Sequence, residues 1–290
     1  MRGDVALLGS EGRGDSAFMR HVLACGNAVL PGNRLPFRLG AHQVGWVRPD
    51  FAAALAAEPG VAQDGQGVCL LLAGALPDLA RRTADCGLHR WRNEAFDVRE
   101  STGGPVLAQI DRGALPAYGI EAVGVHVNGI VEGPDGPSLW VARRAPSKAL
   151  DPNKLDHIVA GGVPAGLTPE ETLVKEAREE ASIPDTLARQ ARQVGVVRYA
   201  MERFEGLRRD TLLCYDLVLP DHFRPTPGDD EVAGFELWPL WRVAETVAAG
   251  DAFKFNVNLV LIDLLIRRRI IRGVEAATLR EALGRIAAVP

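Results

Sequence analysis

What this sequence has little of narrows its function before any motif is read. Its four cysteines, Cys25, Cys69, Cys86 and Cys214, form no C-x-x-C pair and no zinc-ligand spacing. That excludes a zinc ribbon or a disulfide-stapled scaffold, and predicts reduced thiols serving as core fillers in a cytoplasmic protein. The six histidines include no H-x-H or H-E-x-x-H grouping, so none reads as a metal ligand. Basic charge is not in excess. The 33 Lys and Arg against 37 Asp and Glu leave a formal net charge of −4, which argues against a nucleic-acid partner. Long apolar runs are missing too. The longest, near Leu259–Ile266, is interrupted by Asp263 and is too short to cross a bilayer. Asp4, Glu11, Arg13 and Asp15 break any signal-peptide core. What is left is a globular chain of 290 residues, long enough for two ordinary cores, with a small molecule as the expected partner and no membrane.

The most informative stretch that is present is 161–183, GGVPAGLTPEETLVKEAREEASI. Glu176, Glu179 and Glu180 stand at i, i+3 and i+4, so a helix carries all three on one face. Three like charges there cost stability unless a cation sits among them. Oxygen-only ligation selects a hard divalent ion, Mg²⁺ or Mn²⁺. Thr168 suits the N-cap, Pro169 the first helical position, and Glu171 completes a T-x-x-E capping box. Leu173, Val174, Ala177 and Ala181 form the apolar face, and Pro184 stops the helix. Gly161 and Gly162 let backbone approach a metal or a phosphate closely. The plainer reading is a solvated acidic helix with pairs such as Glu171–Lys175. The glycine loop, the capping box and the ordered spacing together favour the ligand set.

These residues resemble a Nudix box: a Gly, five residues, Glu, seven residues, Arg-Glu, two residues, Glu-Glu, one residue, Gly and an aliphatic. Aligned on Gly161, the chain departs at Leu167 for the first Glu, Lys175 for the Arg and Ser182 for the last Gly. The resemblance implies metal ligation by Glu176, Glu179 and Glu180, with Glu176 and Glu180 foremost and the Gly161 or Gly162 carbonyl as a lesser ligand. It implies Glu179 as one general-base candidate. Outside the box, Glu231 in GDDEV is the external base candidate, ahead of Glu236, against a solvated loop. The runs LDHIVAGGVPAGLTPEETLVKEAREEASIP, LLCYDLVLPDHFRPTPGDDEVAGFELWPL and FKFNVNLVLIDLLIRRRII resemble one Nudix branch, labelled thiamine-pyrophosphokinase-related. LPFRLGAHQVGWVRPDFAAAL is similar to the N-terminal domain of unknown function that precedes it. The resemblance runs from about Met19 to about Arg272.

It implies an α/β fold: a Nudix α/β/α sandwich with a mixed sheet, preceded by a small α+β N-terminal domain. The implied activity is a Mg²⁺- or Mn²⁺-dependent diphosphohydrolase that releases a monophosphate from thiamine diphosphate or a damaged analogue. An ADP-ribose- or NADH-type pyrophosphatase and a non-catalytic Nudix-fold binding protein stay open as alternatives.

The organisation expected along the chain is a disordered extension at 1–18, an N-terminal domain at 19–115, the hydrolase domain at 116–275 and a helical tail at 276–290. A hairpin is expected within 34–47, a linker near 113–118, and a mobile loop at 202–210 between two strands. Lys154 and Arg143, with Arg208 and Arg209 in that loop, are candidates for phosphate oxygens, against plain surface charges. Tyr199, with Trp140 and Phe204, is a candidate to stack on a planar ring, against core packing. His126 reads as satisfied by a neighbour, and His157 comes just before the glycine loop. The N-terminal domain serves either as part of the substrate pocket or as the surface of a homodimer.

Overall fold

A computed structural model describes residues 16–288. The expected extension lies outside them for residues 1–15. Its last residues are tied down: the Ser16 hydroxyl donates to Glu275 at 2.7 Å, and Phe18 is buried.

The first half comprises α1 (Met19–Cys25), β1 (Leu35–Leu39), β2 (His42–Val47), α2 (Pro49–Ala56), β3 (Val61–Asp64), β4 (Gly67–Leu70), α3 (Leu76–Asp85), β5 (Ala95–Val98), β6 (Ala108–Asp111) and α4 (Leu115–Tyr118). The hairpin expected from Gly40 is β1–β2. It extends into a four-stranded sheet of order β2-β1-β4-β3, and β5–β6 is a separate hairpin. The core gathers around Tyr118, whose ring meets Phe37 and Phe51 edge-on at centroid distances of 5.1 and 5.0 Å. The expected linker at 113–118 is therefore a buried helical turn. Leu115 and Tyr118 outweigh the turn signals of Gly113 and Pro116, because their side chains complete this core.

The second half comprises β7 (Glu121–Val131), β8 (Ser138–Arg144), β9 (Leu155–His157), β10 (Val159–Gly162), α5 (Pro169–Ala181), α6 (Asp185–Ala188), β11 (Arg192–Arg203), β12 (Gly206–Val218), β13 (Val232–Pro239), α7 (Leu240–Ala249), α8 (Val257–Arg267) and α9 (Gly273–Ala287). The sheet order is β11-β12-β7-β8-β13, with β7 and β12 parallel and the other pairs antiparallel. Strand periodicity divides the side chains between two layers. Leu213, Tyr215 and Leu217 face α5, while Leu212 and Cys214 face α8. The result is an α/β/α sandwich with a mixed sheet. The apolar run near Leu259–Ile266 forms α8, buried nearly all round between the sheet and its neighbouring helices. Among the described residues no helix is long and apolar enough to cross a membrane.

Two placements differ from expectation, and a third bears on the role of the N-terminal half. The 202–210 loop is the closed end of the β11–β12 hairpin, with Arg208 and Arg209 inside the strand ladder. α1 packs on α9, α8 and β11, so it joins the core of the second half through Phe18, Val22 and Cys25. The β5–β6 hairpin docks against the glycine loop. Ala165 N–H donates to the Ala95 carbonyl at 2.8 Å, and a Cβ on Gly162 would lie 2.6 Å from Phe96 Cζ.

Candidate active site

β7 and β8 splay apart after pairing at 129–131, and β9–β10 fills the wedge. This brings Asp156, His157 and the glycine loop to one end of the sheet. α5 lies across the loop, held by the predicted capping box. Thr168 Oγ1 accepts from Glu171 N–H at 3.1 Å, and Glu171 accepts from Thr168 N–H at 2.8 Å. Gly161 must lack a side chain here, since a Cβ would lie 2.6 Å from Glu176 Cγ.

The three box glutamates point to different surroundings. Glu180 is buried, 8% exposed, and accepts from Ala160 N–H at 2.8 Å. Burial pushes its carboxyl well above the usual range. The Ala160 hydrogen bond opposes that shift, and the charges of Asp156, Glu176 and Glu231 add to it. Glu176 is mostly covered and is likewise raised, first by burial. Glu179 is half-exposed. Lys175 joins it at 2.7 Å and Glu176 at 3.1 Å, so the residue standing where the Nudix box has Arg supplies a cation to two of the carboxylates.

Glu231 lines the same narrow pocket as Glu180, together with Arg144, Lys148, Asp156, His157 and Ala160. Its loop is pinned to the end of α5: Thr226 N–H donates to the Ala181 carbonyl, and Ser182 Oγ to the Thr226 carbonyl at 3.0 Å. Burial raises its carboxyl, but the ion pair with Lys148 and the charges of Arg112 and Arg144 prevail and hold it below the usual range.

Beneath lies a polar group that sequence reasoning left unassembled. Asp156 is buried and bonds Arg144 at 2.7 Å, with Lys254 at 3.8 Å. Burial raises it, but Lys254 and Arg144 prevail and hold it at about 2. His126 and His157 meet Nδ1 to Nδ1 at 3.0 Å. Burial lowers both, His157 to about 4, so both are neutral near pH 7. With Asp156 they form, among the described residues, the one group of three whose ligand atoms converge within 4.8 Å. The neighbour expected for His126 is His157. Only the position of His157 before the glycine loop hinted at this cluster.

The candidate substrate contacts lie elsewhere. Tyr199 is buried with its hydroxyl bonded to Asp210, and Arg208 bonds the same carboxylate at 2.9 Å. Within that network Arg208 is paired with Asp210 and Tyr199 is covered, and neither lines the pocket of Glu180. Lys154 bonds the Asp251 carbonyl and Arg143 the Asn153 carbonyl, and neither lines the pocket of Glu180; Arg143 lines a second one with Glu236 and Trp238. Trp140 is buried, and Phe204 is 85% exposed beyond the closed end of the hairpin. Glu236 is occupied by Trp238 Nε1 at 2.9 Å.

The residues present fit a hard divalent ion. One carboxyl that burial discourages from ionising and the further carboxylates beside it would be relieved by a cation, and Gly161, with no Cβ, lets the loop backbone lie against Glu176.

Comparison with known proteins agrees with the two halves. Residues 123–257 match the NUDIX domain, and residues 17–122 match a domain of unknown function, DUF4743. Nudix hydrolase 24, chloroplastic, of Arabidopsis thaliana is 44% identical over 182 residues, 62% of this chain and 50% of that protein. Nudix hydrolase 20, chloroplastic, of the same plant is 43% identical over 62% of this chain and 48% of its own length. The chain thus spans about half the length of these relatives. The crystal structure of DR0079 from Deinococcus radiodurans is 28% identical, covering 62% of this chain and all of that one, with a TM-score of 0.46.

Proposed function

Residues 123–257 matching the NUDIX domain, we propose that this chain is a divalent-metal-dependent hydrolase of a diphosphate linkage, releasing a monophosphate. The observation that carries the reading is the pocket lined by both Glu180 and Glu231, together with Arg144 and Lys148. Glu176 and Glu180, with Glu179 once Lys175 releases it, are the residues that would hold the ion, Mg²⁺ or Mn²⁺. When bound, the ion supplies charge neutralisation at the phosphates and a lowered pKa for a coordinated water. The chain's own groups do the rest. Arg144 and Lys148 place positive charge at the pocket wall, where phosphate oxygens carry negative charge. Glu231 is kept ionised by Lys148, as a proton acceptor must be, and we assign it as general base ahead of Glu179, which does not line the pocket with Glu180. The His126–His157 pair and Asp156 brace the floor.

For the substrate we propose thiamine diphosphate or a damaged analogue, on the strength of the sequence resemblance. ADP-ribose- or NADH-type compounds share the same scissile linkage. The four unpaired cysteines favour a reducing compartment. The test is product analysis with Mg²⁺ or Mn²⁺ on thiamine diphosphate, oxidised thiamine diphosphates, ADP-ribose and NADH. Glu231→Gln is expected to lower kcat by about 10²–10⁴-fold while leaving metal-induced thermal stabilisation intact. A Glu231→Gln protein with wild-type kcat would move the base to Glu179. Failure of wild type to hydrolyse any member of the panel would sink the hydrolase reading.

A further inference from the structure

The N-terminal half sits directly on the catalytic loop. The β5–β6 hairpin is fixed there by the Ala165–Ala95 hydrogen bond, and the Phe96 ring occupies the space a Gly162 side chain would need. Arg112 comes directly after β6, and its backbone N–H bonds the Glu94 carbonyl at 2.8 Å. Its guanidinium lies over the Phe96 ring, 5.7 Å from the centroid. One aromatic ring therefore separates this cation from the glycine loop that carries Gly161 against Glu176.

The other cations near the pocket are committed. Arg144 bonds Asp156 and the carbonyls of Leu150 and Asp151. Lys254 is covered and faces Asp156. Lys148 bonds Glu231. Arg112 differs. Its one described ion-pair partner is Glu94 at 2.8 Å, and the two side chains are 52% and 37% exposed. Such a pair is worth little in water and exchanges readily for a better anion. The charge of Arg112 also bears on Glu231, which lines the pocket.

We infer that the N-terminal half completes the substrate site, with Arg112 as ligand for the substrate phosphate that lies farther from the box glutamates. This rests on the diphosphohydrolase reading and adds a residue from outside the NUDIX domain to it. The guanidinium fork suits two phosphate oxygens at once, and leaving Glu94 costs it little. The N-terminal half then acts in substrate binding.

The test uses the full chain with Mg²⁺: wild type, Arg112→Ala, Arg112→Lys and Glu94→Gln. KM and kcat are measured on whichever of thiamine diphosphate or ADP-ribose wild type hydrolyses, and inorganic pyrophosphate is titrated by calorimetry. Arg112→Ala is expected to raise KM and the pyrophosphate Kd about tenfold, with kcat within about twofold, as for loss of one charged hydrogen-bonding group. Arg112→Lys recovers part of that loss. Glu94→Gln leaves KM unchanged or lower. Unchanged KM and Kd in Arg112→Ala overturns the inference. So does a KM rise in Glu94→Gln equal to that in Arg112→Ala, since the pair would then only hold the hairpin. A wild type that hydrolyses neither compound and binds no pyrophosphate removes the hydrolase reading, and this inference with it.

Discussion

Glu180 is a carboxyl group held where ionisation is costly. Burial raises it well above its unfolded range, so above that range the charged form destabilises the metal-free fold. Glu180→Gln keeps an acceptor for Ala160 N–H and removes the charge. The metal-free protein is expected to gain about 1 kcal/mol or more at pH 7.5 and to lose the Mg²⁺-induced rise in Tm. A variant less stable in EDTA than wild type would refute this. The His126–His157 pair has the opposite sign. A buried histidine whose folded value is lowered contributes stability that is full above its unfolded value of about 6.5 and is lost as pH falls toward the folded value, about 4 for His157. In that window each such group adds a slope of about 1.4 kcal/mol per pH unit. His157→Asn is expected to flatten the fall in denaturant stability between pH 6.5 and 4. Parallel curves for variant and wild type would show that His157 does not bear the load.

At the scale of elements, α5 was legible almost to the residue. Its capping box, N1 proline and apolar face are local signals, and each appears in the helix Pro169–Ala181. Its C-cap, Ser182, adopts φ +51°, a left-handed conformation that costs a side-chain-bearing residue about 1 kcal/mol or more. This accounts for the glycine of the Nudix box at that position. Ser182→Gly is expected to stabilise the protein by up to about 1 kcal/mol, less the value of the hydrogen bond to the Thr226 carbonyl. Chemical denaturation decides it, and a loss of stability would show that the hydrogen bond outweighs the strain. The β11–β12 hairpin was less legible. Its charged segment 202–210 reads as loop, yet Arg208 and Asp210 neutralise each other across one ladder face and Tyr199 seals the pair. Strand pairing and the closed ion pair overrode local composition.

For the whole molecule, the junction of the halves is the point most exposed to a small change. Gly162→Ala places a methyl group 2.6 Å from Phe96 Cζ. It is expected to displace the β5–β6 hairpin, cost about 1–3 kcal/mol and lower activity. Phe96→Ala in the same chain opens the space and restores part of the loss, so the pair is non-additive. Additive effects on Tm and turnover would mean that the two residues do not bear on each other. Arg34 strengthens the same junction through a two-pronged pair with Glu202 at 2.9 and 2.6 Å.

The sequence by itself determined what is local: the helix that carries Glu176, Glu179 and Glu180, its capping box, the glycine loop before it, and, among the described residues, the lack of any helix long and apolar enough to cross a membrane. These depend on residues within one or two turns of each other, where spacing is geometry. Only the tertiary structure decided that Glu231 and Glu180 line one pocket, that His126 and His157 meet, that α1 joins the second core, and that Tyr199 and Arg208 both bond Asp210. Each of those contacts joins strands or loops distant in sequence. Their neighbours are set by sheet order and packing, and no local pattern of residues encodes either.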